Sequence, residues 1–168
     1  GPQVAVEGSI AATQKYDILV KLVGKPSLIQ NELKKYFNSS NYHNALVKLE
    51  IVAADEVLEM HESPIDVLKK KINSSVAVAI RLLKDGEVDA VVSAGNTGAA
   101  IVAARKWLGN LSGIRRPAIA TLLPNRKNTT VVIDAGANVE CKPQDFVDFA
   151  IMGQVYAEYI LNKSHPSI

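Results

Sequence analysis

Two short stretches of this sequence carry the residue types from which an anion site is made. In the first, residues 93–98 read SAGNTG; in the second, residues 134–143 read DAGANVECKP. Each follows a short apolar run, Ala90-Val91-Val92 in one case and Thr130-Val131-Val132-Ile133 in the other, that reads as a buried strand. Each leads into a helix, the first rich in alanine over 99–108, the second opening at Pro143, a residue suited to the first helical position. Strand, small-residue turn, helix is the arrangement in which backbone N–H groups point into open space at a helix N-terminus, where they bind anions. Asn96 or Thr97 can cap the first helix. In open α/β sheets ligands gather beyond the carboxyl ends of the strands, and both turns are expected on that edge.

The rest of the chain reads as support for these turns. Helices are expected over 4–16, with Val4, Ile10 and Ala11 among the apolar positions, and over 26–37, where Leu28, Ile29, Leu33 and Phe37 recur at helical spacing. Strands are expected over 17–23, 46–52, 117–123 and 130–133, and residues 38–44 read as an exposed polar loop. Ser63-Pro64 resembles a helix start, and 65–84 holds one or two helices with a break near Asn73-Ser74-Ser75. A long helix runs over 143–161. Alternation of strands and helices defines an α/β class with a largely parallel sheet. The link between 117–123 and the strand at 130 is too short for a parallel crossover, so that pair is expected to be antiparallel. No domain boundary or internal repeat stands out, and the chain reads as a single α/β domain, 1–168. It opens on a helix with no preceding strand and closes where another strand could begin, which reads as part of a longer domain.

Composition narrows the function. The 168 residues carry 19 Lys and Arg against 17 Asp and Glu, a net charge of +2, too small to argue for nucleic acid. With 48% apolar but 5% aromatic residues, the core is mainly aliphatic. The single cysteine, Cys141, rules out an internal disulfide and provides no metal-ligand spacing. It fits a reducing cytoplasm. No apolar run approaches the roughly 18 residues of a membrane span, and the opening residues do not read as a secretory signal.

With these residues in place, SAGNTGAA at 93–100, RPAIATLLP at 116–124 and DAGANVECKP at 134–143 resemble the PlsX family of phosphate acyltransferases, as does the pairing of Ser63-Pro64 with Lys69-Lys70-Lys71 and Asn73-Ser74-Ser75. The resemblance runs along essentially the whole chain and places it as the first half of a longer protein. It implies a three-layer α/β/α sandwich resembling the isocitrate and isopropylmalate dehydrogenase fold, incomplete in this chain. It implies acyl transfer from acyl carrier protein to inorganic phosphate, yielding an acyl phosphate for phospholipid synthesis, with no redox cofactor or obligatory metal. It further implies a cytoplasmic homodimer, with peripheral membrane association left open.

The residues suit that chemistry. Phosphate is already a nucleophile at neutral pH, so the site must hold an anion beside a thioester carbonyl and stabilise the oxyanion that forms. Lys142, Asn138 and Asp134 are the expected catalytic residues, Asp134 by orienting a lysine or a backbone amide, since its own charge repels phosphate. Gly95, Asn96, Thr97, Gly98, Lys70 and Ser74 are the expected substrate-binding residues, and the two turns are expected to serve one anion. Asp134 equally reads as a loop cap, Cys141 as a small apolar residue rather than a nucleophile, and the lysine run as a solvated helix face. Arg105, Lys106, Arg115, Arg116, Arg126 and Lys127 form a basic set suited either to docking an acidic carrier or to a solvated rim. Two further functions stay open: a phosphotransacetylase-like enzyme using acyl coenzyme A, and a non-catalytic ligand-binding domain. A decarboxylating dehydrogenase would want an aspartate cluster for metal, and the sequence has none.

Overall fold

Helix α1 (Pro2–Lys15) starts on a proline, whose missing N–H costs nothing in a first turn. It buries Val6, Ile10 and Thr13, one stripe at helical spacing, whereas Val4 lies off that stripe and is exposed. The Thr13 hydroxyl donates to the carbonyls of Ser9 and Ile10, which removes the penalty of burying it. This computed structural model describes residues 1–126 and 128–168, and they fall into two compact units, Gly1–Leu108 and Gly109–Ile168.

In the first unit, β1 (Val20–Gly24) pairs in parallel with β2 (Leu49–Ala53), from Val20 opposite Leu49 to Gly24 opposite Ala53. Between them run α2 (Pro26–Leu33), a 3₁₀ turn at Lys34–Tyr36, a second at Ser40–Tyr42, and the short α3 (His43–Leu46). Residues 38–44, expected as open loop, are thus partly ordered: Tyr42 packs edge-on against Tyr36 with ring centroids 5.1 Å apart, which gives a polar segment an apolar anchor. Val6, Ile10, Leu22, Ile29, Leu33 and Ala45 close this core.

A second core in the same unit joins three helices, α4 (Asp66–Lys69), α5 (Ser75–Lys84) and α6 (Thr97–Trp107). The break expected near 73–75 separates α4 from α5. The buried positions are Val67, Ala77, Ile80, Ala99 and Ala103, and the alanines let α5 and α6 approach closely. The strand expected at Ala90-Val91-Val92 does not form. Lys21 of β1 reaches Glu87 at 2.9 Å, so the segment leaves from beside the sheet. Yet none of the described backbone hydrogen bonds involves residues 88–94, and Val92 is 99% exposed. An apolar run without a ladder partner is not a strand.

In the second unit, β3 (Ala120–Pro124) and β4 (Thr129–Ile133) form the expected antiparallel pair, with Ala120 opposite Ile133. The strand begins at 120 rather than 117 because the Pro117 carbonyl and the Ile119 N–H bond to side chains of the loop after β4. Helix α7 (Pro143–Leu161) packs on β4, burying Phe149 and Ala157, while Val147, Ile151, Val155 and Tyr159 remain exposed on its outer face. Asn162 ends it in the left-handed conformation at φ 52°. The described strands therefore form one parallel and one antiparallel pair, a mixed α/β structure, rather than the single largely parallel sheet expected.

Ile10 is the test of the first core. Its replacement by alanine should cost the Gly1–Leu108 unit about 2–5 kcal/mol, the usual range for a buried Ile or Leu truncation. Urea unfolding followed by hydrogen exchange in α1 and β1 measures it; an unchanged midpoint would remove Ile10 from the core.

Candidate active site

In the first unit the candidate residues include those at the N-terminus of α6. Asn96 is the N-cap: its side-chain oxygen accepts the Ala99 N–H at 3.0 Å. Its Nδ2 donates to the carbonyl of Glu62 at 3.2 Å and, more weakly, to those of Glu59 and Met60. The side chain thus staples the 59–62 loop to the helix start. Gly98 is required by packing, since a Cβ there would lie 2.7 Å from Cγ of Pro64. Gly95 and Thr97 are exposed. Among the described residues, the N–H groups of Thr97 and Gly98 have no acceptor, so two donors at this helix start are uncommitted.

Lys70 and Ser74 flank the connection from α4 to α5. Lys70 is exposed and pairs with Asp66 at 3.3 Å. Ser74 stands at the N-cap position of α5 but makes no side-chain cap bond; its hydroxyl is fully buried and has no partner among the described residues. The backbone around it is fixed by others. Glu56 accepts the Asn73 N–H at 2.7 Å, and Arg81 donates to the Ile72 carbonyl at 2.5 Å while lying over the Trp107 ring at 5.4 Å. Sequence reasoning missed this bracing, because Glu56 and Arg81 lie far apart in sequence.

In the second unit the loop after β4 is organised by Asp134. One carboxylate oxygen accepts the N–H groups of Ile119 (2.9 Å) and Ala137 (3.2 Å); the other accepts the backbone and side-chain N–H of Asn138 (2.7 and 2.9 Å). Burial works against its charge. The donors, Ile119 N–H first, then the Asn138 side chain and the N–H groups of Ala137 and Asn138, outweigh that and hold the carboxyl below its usual value. Asn138 also donates to the Pro117 carbonyl at 2.9 Å and accepts from Arg116 at 3.3 Å. Asp134 and Asn138 are therefore neighbours that lock the loop to the start of β3.

Lys142 is the N-cap residue of α7, and its backbone N–H donates to the Asp145 carboxylate at 2.7 Å. Its side chain is exposed, and among the described residues its ammonium has no ion-pair partner. Asp145 is fully buried. It also accepts from Arg115 and lies 3.9 Å from Arg116 Nε, with all of these partners on one oxygen; the other has none among the described residues. Here too burial opposes ionisation, and the Lys142 N–H and the two guanidinium groups overcome it, so the pKa is lowered. The signal for Asp145 was in the sequence: an acid two residues after a helix-opening proline suits the third helical position. Beside this loop lies an open cleft of about 310 Å³, walled by Ile133, Val139, Phe146 and Phe149, with Asp134, Asn138 and Cys141 contributing polar edges.

The basic set divides. Arg115 and Arg116 are committed to Asp145 and Asn138, so charge reversal there would break the loop and is not a clean test of docking. Arg105, Lys106 and Arg126 are exposed. Lys127 lies outside the described residues.

A family model described as "Fatty acid synthesis protein" matches residues 1–168. Curated relatives include proteins named phosphate acyltransferase from Dictyoglomus turgidum, 45% identical over 168 residues, and Dictyoglomus thermophilum, 44% identical over the same length. Another, from Syntrophotalea carbinolica, is 43% identical over 167 residues. Each alignment covers 99% of this chain and 46–48% of the relative, so the chain spans about half the length of the curated relatives it matches. The chain belongs to the fatty acid synthesis protein family. Among the described residues no helix is long and apolar enough to cross a membrane.

The two depressed carboxylates set an acid limit. A folded pKa below the unfolded value near 3.8 adds stability that is complete above that value and is lost as pH falls through it towards the folded pKa. The Gly109–Ile168 unit should therefore lose stability as pH falls below about 4–5. Asp134→Asn should lower its melting temperature at neutral pH and flatten that acid slope. A slope as steep in the variant as in the parent would remove Asp134 from this role.

Proposed function

We propose that this chain carries the anion-binding part of a phosphate acyltransferase, which moves an acyl group from acyl carrier protein to inorganic phosphate and so supplies acyl phosphate for phospholipid synthesis. The observation that carries the reading is the exposed Lys142, whose ammonium has no ion-pair partner among the described residues, on a loop that is fixed at both ends and whose Asn138, Val139 and Cys141 line a cleft with an apolar wall. Kinship with proteins named phosphate acyltransferase supports it. In this reading a phosphate oxygen forms a bond to the thioester carbonyl carbon, the carbonyl electrons move onto oxygen, and collapse of that oxyanion expels the carrier's thiolate, which takes up a proton. Lys142 stabilises both phosphate and developing oxyanion. The Thr97 hydroxyl and the N–H groups of Thr97 and Gly98, which have no acceptor among the described residues, offer anion donors at the start of α6.

Asp134 and Asn138 act by holding the loop rather than by touching phosphate; at the α4–α5 connection the exposed Lys70 is the residue open to substrate, and the buried Ser74 acts on binding only through the backbone it occupies. We further propose that the 168 residues belong to one three-layer α/β/α domain of dehydrogenase-like fold, acting as a cytoplasmic homodimer that meets membranes, if at all, at their surface. The acidic carrier docks on exposed cations, of which Arg105 and Lys106 end α6. The coenzyme A alternative predicts turnover with short acyl coenzyme A and none with the carrier thioester.

In the active protein, Lys142→Ala should lose about a hundredfold in turnover or phosphate affinity, the scale of one lost oxyanion donor, with an unchanged melting curve, since an exposed side chain contributes little stability. Thr97→Val should lose less. Parent-like turnover of Lys142→Ala at subsaturating phosphate would refute the assignment of this lysine. Arg105→Glu with Lys106→Glu should raise the apparent KM for the carrier thioester, most at low salt, where charge steering is strongest; a KM that ignores ionic strength would dismiss that surface.

A further inference from the structure

Arg116 occupies a place that neither the basic-surface reading nor the anion-site reading assigns. Its Nη1 donates to Asn138 at 3.3 Å and its Nε lies 3.9 Å from the same Asp145 oxygen that takes the Lys142 N–H at 2.7 Å. Asn138 is bound in turn to Asp134 and to the Pro117 carbonyl. One guanidinium therefore spans the second half of the loop, from Asn138 at its middle to the helix cap at its end. Among the described residues the Arg115 side chain donates to Asp145 alone, so it supports the helix end but does not reach Asn138.

We propose that Arg116 is a positioning residue, which sets the distance between Asn138 and the Asp145-bound backbone of Lys142 and thereby aims the lysine at the substrate anion. The proposal rests on the phosphate acyltransferase reading given above. The Asp145 carboxylate makes the link selective for a planar guanidinium. Arginine presents donors along two edges, so one side chain can serve Asn138 and Asp145 together, whereas a lysine offers one point charge and can serve one of them well. Asp145 is fully buried, and a buried carboxylate that loses one of two cations still keeps Arg115 and the Lys142 N–H. Loss of Arg116 should therefore slacken the loop more than it unfolds the unit.

A double-mutant cycle between Arg116→Met and Lys142→Ala in the active protein decides the matter, read as phosphate-dependent kcat/KM alongside melting temperature. Methionine keeps most of the arginine stem and removes its donors and charge. In the parent background Arg116→Met should lower kcat/KM by about tenfold, and Arg116→Lys should fall between the two. In the Lys142→Ala background the same change should cost less than twofold, because there is no lysine left to aim. An equal loss in both backgrounds, or no loss in the parent, overturns the positioning role while leaving Lys142 assigned. If Lys142→Ala itself turns over like the parent, the lysine assignment falls and the positioning role falls with it. Should Arg116→Met melt far below the parent, Arg116→Gln, which retains an amide donor for Asn138, takes its place in the cycle under the same criteria.

Discussion

The loop 134–142 depends on the capture of backbone N–H groups by carboxylates. Asp134 takes three of them, from Ile119, Ala137 and Asn138, and Asp145 takes the one of Lys142. A segment of small residues has little apolar surface to bury, so packing alone would leave it in many conformations, each residue costing about 1–2 kcal/mol of backbone entropy to fix. Charge-assisted hydrogen bonds supply what packing does not. They also explain why the strand β3 starts late. The Ile119 N–H that could have joined the ladder is used to hold the loop, and the Ala135 N–H answers by donating to the Ile119 carbonyl at 3.0 Å.

Where a pattern is local, the sequence was readable. The break at 73–75, the antiparallel pair joined by a short link, and the span of α7 with its opening proline all follow from residues within a few positions of one another. What lay beyond reach were choices settled by distant partners. Ala90-Val91-Val92 has strand composition, but composition does not provide the neighbour that a ladder needs. Arg115 and Arg116 look like surface cations until α7 brings Asp145 against them. Tyr42 belongs to a polar run, and it is Tyr36 and the core beneath that give it a packing partner.

The two helix starts solve the same problem with different residues. Four N–H groups at each N-terminus lack intrahelical acceptors. At α6 an uncharged amide caps Ala99, and its NH₂ binds the 59–62 loop, so capping and loop anchoring come from one side chain. At α7 the cap residue is a lysine, which has no acceptor to offer. The helix's own Asp145 therefore turns back to the cap backbone, and its charge favours the positive end of the helix dipole. A buried carboxylate in that position needs cations, which is why Arg115 and Arg116 are drawn in. The two arginines before β3 are thus spent on the acid that shapes the loop.

Hydrogen-bonding capacity then separates scaffold from reactive groups. Asn138 has two side-chain donors, used on Pro117 and Asp134, and an acceptor used by Arg116. Asn96 spends its oxygen on Ala99 and its NH₂ on loop carbonyls. An anion could take over those donors only by undoing bonds that fix the turn, which would forfeit the preorganisation that makes such a donor useful. Lys142 is different. Its backbone is tied to Asp145 while its ammonium has no ion-pair partner among the described residues, so the charge stands on a fixed root without a competing protein bond. Thr97 shares that property at the α6 start, being exposed, with an N–H that has no acceptor among the described residues. Asparagines and acids around these turns give them shape; the lysine and threonine retain the capacity to bind.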